Sequence, residues 1–158
     1  MKHWIISCLA CLAAFTASAQ TFVINSGTSW SIPSLASTIT KAGKNYEHIE
    51  TSSASQTLVK VNALLGWTVT AHLSSTSNWD SALKLSVQRT GNGTGIAILS
   101  GGTTYIQLTS TPQTFFTGLL NLTAHRDNIP IQYKIEGLSV TLPVKTYTTT
   151  VTYTISGL

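Results

Sequence analysis

In the segment Trp67–Leu73, Trp67, Val69, Ala71 and Leu73 alternate without a break with Thr68, Thr70 and His72. Successive side chains of a β-strand point to opposite faces, so this pattern predicts a strand buried on one side and wet on the other. The same alternation recurs in Thr57–Asn62, Leu83–Arg89, Ile129–Ile135 and Tyr147–Ile155. In the last of these, Tyr147, Val151, Tyr153 and Ile155 share a face with Thr149, and four threonines fill the other. A period of two leaves no room for a long amphipathic helix. Shorter strands are expected at Thr21–Asn25, Ile96–Leu99, Thr104–Thr109 and Leu138–Leu142, with a buried pair at Phe115-Phe116. Turn residues punctuate the chain at Thr90–Gly95 and Ser100–Thr103, and residues 117–128 read as a loop. About seven to eight short antiparallel strands with turn-bounded spacing describe a single all-β sandwich.

The opening residues follow a different rule. Met1-Lys2-His3-Trp4 precedes an apolar run to Phe15 and the sequence Ala17-Ser18-Ala19. A basic start, a short apolar core and an Ala-x-Ala end predict a secretory signal peptide over residues 1–19. The run is too short to span a bilayer, and no other segment is apolar enough to do so. The expected domain is therefore 20–158, secreted to the cell surface, the periplasm or the medium. Both cysteines, Cys8 and Cys11, precede it, which removes disulfides, thiol nucleophiles and thiolate ligands from the domain.

Charged residues make up 9% of the chain, against about a quarter in ordinary soluble proteins. Thr and Ser supply the polar surface instead, which suits strands. The lysines and arginines are scattered from Lys41 to Lys145, so the net charge of +4 forms no stripe for nucleic acid.

No constellation points to catalysis. The five acids do not form a facing pair, and Gly-x-Ser-x-Gly is absent. Gly91–Gly95 has no helix after it and reads as a hairpin loop rather than a dinucleotide site. Glu47, His48 and Glu50 are possible metal ligands by type, but alternation in a strand separates Glu47 from the other two. His72 falls on a polar face. His125–Asn128 reads as a turn capped by Asp127 and Asn128. No cofactor is expected. Asn92-Gly93-Thr94 and Asn121-Leu122-Thr123 match the glycosylation sequon, which matters only in a eukaryotic secretory path. Trp30 and Trp79 sit among polar residues, where an exposed indole can stack on a sugar.

A wider pattern runs through Trp67–Thr70, Trp79, Leu83–Gly93, Ser100–Tyr105, Phe115–Gly118, Ile129–Gly137 and Tyr147–Ile155. It resembles a group of small secreted bacterial β-proteins with no assigned activity. The last strand also looks like that of WxL-type surface domains and of spore-coat-U or pilin-like domains. That resemblance implies an Ig-like or pilin-like sandwich engaged in surface attachment or filaments, without the pilin disulfide and without a Trp-x-Leu motif.

The resulting expectation is a non-enzymatic structural or adhesive protein whose partners are copies of itself or other surface proteins. Strand addition is the expected route. The segment 20–32 would be a loosely held donor arm, with Phe22, Ile24, Trp30 and Ile32 filling pockets. The acceptor edge would lie beside Tyr147, Val151, Tyr153 and Ile155. A carbohydrate-binding module using Trp79 or Trp30 is the alternative.

Overall fold

The computed structural model describes residues 20–32, 46–63, 66–119 and 126–157. The expected signal peptide, His125 and the sequon at Asn121 lie outside the described residues. Ten strands and no helix occur among the described residues: β1 (Thr21–Ser26), β2 (Glu47–Thr51), β3 (Thr57–Asn62), β4 (Trp67–Leu73), β5 (Lys84–Arg89), β6 (Ile98–Ser100), β7 (Ile106–Gln107), β8 (Gln113–Leu119), β9 (Arg126–Ser139) and β10 (Val151–Gly157). All pairings are antiparallel, and the strands form two sheets.

The first sheet runs β1-β3-β9-β5-β7. The long β9 spans its whole height, so β3 pairs with its first half and β2 with its second half. The second sheet runs β10-β4-β8-β6. Alternation decides which side chains meet between the sheets. Val59, Val61, Trp67, Val69, Ala71, Leu85, Val87, Ile129 and Ile131 are all buried there. Trp67 is completely enclosed, edge-on to Phe116 at 5.6 Å between ring centres. Phe116 in turn meets Phe115 edge-on at 5.0 Å.

Four boundaries differ from the sequence reading. Residues 117–119 continue β8 and 126–128 begin β9, which shortens the expected loop at both ends. Residues 104–109 hold only a two-residue strand at Ile106–Gln107, and Val140–Leu142 turn away after β9. The last strand begins at Val151 instead of Tyr147, because its partner β4 ends at Leu73, opposite Val151.

The two sheets differ sharply in charge. Every Lys, Arg, Asp and Glu carried on a described strand belongs to the first sheet, from Glu47 on β2 to Glu136 on β9. The strands of the second sheet carry none. Its outward positions on β4 and β10 are Thr68, Thr70, His72, Thr152, Thr154 and Ser156.

Candidate assembly edge

β10 pairs with β4 through seven consecutive residues, Val151↔Leu73 to Gly157↔Trp67, with no bulge. It is the outermost strand of its sheet, so its other edge is hydrogen-bonded to no strand among the described residues, although β1 lies close by. Proteins usually blunt such an edge with charge, proline, a bulge or brevity. The other outer strands do so. β6 and β7 have three and two residues, and β1 breaks register between Ile24 and Ser26. β10 has none of these devices along Val-Thr-Tyr-Thr-Ile-Ser-Gly.

The segment 20–32 does not stand away from the fold. Its first half is β1, laid along β3 from Thr21↔Asn62 to Ser26↔Leu58. Phe22 stacks on Tyr153 of β10 with ring centres 5.3 Å apart, and Trp30 stacks on Tyr133 at 6.2 Å. Ile32 packs against the core, whereas Ile24 is 41% exposed. The outer strands of both sheets thus lie on the same side of the sandwich, bridged by Phe22 and Tyr153.

A chain of hydroxyls fastens this side. Thr57 Oγ1 donates to the carbonyl of Gly27 at 2.6 Å, and Tyr133 Oη donates to Thr57 Oγ1 at 3.1 Å. Each of those hydroxyls has then used its single proton, so in the 3.1 Å contact between the two tyrosines Tyr153 is the donor. The relay crosses from β10 to β9, to β3, and to the backbone just after β1. Burial, then the neighbouring Tyr133, pushes the Tyr153 hydroxyl well above the usual tyrosine range, which keeps it protonated as the relay requires. Val151 and Ile155 flank Tyr153, half-buried against the core. Tyr147 precedes the strand; its hydroxyl donates to the Pro143 carbonyl at 2.6 Å, and Lys145 Nζ sits 4.9 Å from its ring centre.

The structure therefore gathers Phe22, Tyr153, Val151 and Ile155 along one side and leaves Trp79 elsewhere. Trp79 is half-buried against the core, and its Nε1 donates to the Leu83 carbonyl at 3.0 Å. Both Trp30 and Trp79 are thus partly buried and packed against the core.

A second feature is an open groove of about 590 Å³ beside β2, lined by Glu47, His48, Lys84 and Glu136 among others. His48 Nε2 lies 2.7 Å from Glu50 Oε1, and Lys134 Nζ 3.2 Å from Glu136 Oε1. His48 and Glu50 share a face and Glu47 does not, as alternation requires. Among the described residues no three His, Cys, Asp or Glu side chains gather to hold a metal.

One cluster was read incorrectly from the sequence. Arg126 is not a surface turn residue but a buried one, 7% exposed at the start of β9. Its Nε donates to the Asn92 carbonyl at 2.6 Å, and its Nη1 donates to the carbonyls of Ala97, at 2.7 Å, and of Gly95. Arg89, equally buried, donates from Nε to the Gly101 carbonyl at 2.7 Å and from Nη1 to the Asn92 side chain. Burial first, and Arg126 second, lower its pKa. The two guanidiniums organise the loop Gly91–Ala97, which is not the hairpin expected from the sequence, because it carries the chain from β5 in the first sheet to β6 in the second. Neither arginine was recognisable beforehand, since a buried cation satisfied by carbonyls has no periodic signature.

Searches against family models, curated proteins and solved structures returned no match to the chain. The likenesses to WxL-type and spore-coat-U domains accordingly remain expectations from the sequence.

Proposed function

We propose that this chain is an exported, non-enzymatic structural or adhesive protein of the cell surface, with an Ig-like sandwich that joins its neighbours by strand addition. The observation that carries this reading is the β10 edge: seven residues long, regular, uncharged and unblunted. An exposed strand of this kind presents a row of backbone donors and acceptors that another strand can satisfy. The charge-free outer surface of the sheet it belongs to adds no repulsion when two such sheets meet side by side. Half-buried Val151, Tyr153 and Ile155 provide apolar contact for the added strand. β10 is the acceptor; the donor nominated by the sequence, Thr21–Ile32, is already engaged through β1 along β3.

Sedimentation velocity over a concentration series tests the reading. The expected result is a species larger than the monomer whose fraction rises with concentration. A protein that sediments as a monomer at every concentration, up to several hundred micromolar, contradicts it.

A further inference from the structure

We propose that the strand added to β10 is β10 of a second copy of this chain, paired antiparallel about a two-fold axis through Thr154. This inference rests on the strand-addition reading and names its partner. The segment Thr21–Ile32 is already occupied: β1 lies along β3, Trp30 covers Tyr133, and the Gly27 carbonyl ends the hydroxyl relay. Its release would break all three. The outer edge of β10 is hydrogen-bonded to no strand among the described residues; β1 and Gln20 lie beside it without pairing to it.

The sequence of β10 is complementary to itself. Around Thr154 it reads Thr152-Tyr153-Thr154-Ile155-Ser156, polar and apolar residues alternating symmetrically on both sides. An antiparallel pair centred there sets Thr152 opposite Ser156 of the other copy, Tyr153 opposite Ile155, and Thr154 opposite its own counterpart. Hydroxyls meet hydroxyls on the outer face, and an aromatic meets a branched aliphatic on the inner face, both favourable cross-strand pairs. All seven residues are used, since Val151 then faces Gly157. A shift of one residue in the partner would set polar side chains against apolar ones and expose the inner set. A two-fold interface needs one surface that complements itself, and this strand is such a surface. The product is a continuous eight-stranded sheet, β6-β8-β4-β10 followed by the same four strands in reverse, with no charged side chain on any of its strands.

Thr154 is exposed, so charge can be placed there without disturbing the core. Thr154→Lys and Thr154→Glu, each followed by sedimentation velocity in low salt, should both weaken association at least tenfold, because like charges then face each other. Circular dichroism melts verify that each variant is folded. An equal mixture of the two should restore association to at least the wild-type level, because the opposite charges meet only if position 154 faces itself. If each variant alone dissociates and the mixture does not recover, the self-pairing is overturned, while β10 stays the acceptor for another strand such as Thr21–Ile32. If both variants associate as the wild type does, the pairing is overturned and the contact lies away from Thr154. If the wild type never associates, the strand-addition reading falls with it.

Discussion

Trp67→Ala is expected to lower the unfolding free energy by about 3–5 kcal/mol, close to the whole stability of a marginal domain, typically about 5–15 kcal/mol. The indole is fully enclosed and sits where both sheets converge. It meets Phe116 edge-on, and on its other side it covers Gly118, directly opposite on β8. A methyl group on Gly118 would lie 2.2 Å from Trp67 Cζ2, so the two residues fit only because one of them has no side chain. Its Nε1 has no hydrogen-bond partner among the described residues, so the side chain acts through packing rather than polar contact. Urea denaturation followed by circular dichroism measures the effect. Gly118→Ala overfills the same contact and should cost about 1–3 kcal/mol. A loss below about 1 kcal/mol for Trp67→Ala would mean that the two sheets do not close over this ring.

Arg126→Met is expected to cost about 3–5 kcal/mol, because several buried carbonyls lose their donor together. The methionine fills a similar volume but leaves the carbonyls of Asn92, Gly95 and Ala97 facing an apolar side chain. Each buried acceptor left without a donor costs about 1–3 kcal/mol. The loop is further tied to β9 by the paired backbone bonds between Thr94 and Asp127, at 2.8 and 2.9 Å, which lie next to Arg126. Its loosening should therefore propagate to the start of β9. Arg126→Lys keeps the charge but not the planar fork, and should recover only part of the loss. Equilibrium denaturation of the two variants separates the contributions. Equal stability of Arg126→Met and wild type would remove the arginine from its structural role.

The central strands were legible because their burial has a period. In β3, β4, β5 and β9 nearly every inward residue named by alternation is buried, from Val59 and Val61 to Ile129, Ile131 and Ile135. The edges were less legible. β2 was only weakly marked, because its exposed Glu47 and Ile49 break the usual division of polar and apolar faces. In β1 a register shift after Ile24 disrupts the period, so the segment read as a loose arm although it pairs with β3. The start of β10 depends on where β4 stops, a fact about another part of the chain. Arg126 finds its acceptors some thirty residues earlier, at a distance no local pattern reports. The residues of the candidate edge were named from alternation alone. Their arrangement beside Phe22, and the relay through Tyr133 and Thr57, came only with the packing of the two sheets.

Strand addition makes one demand on the backbone itself: the outward amides of β10 must exchange slowly once a partner is bound. Hydrogen exchange read by NMR or mass spectrometry at low and high protein concentration follows residues 151–157 directly. The account predicts that protection in this strand rises with concentration, while the outer strands β1, β6 and β7 exchange alike at both. Identical exchange of β10 at the two concentrations, or new protection at another edge in its place, would contradict it.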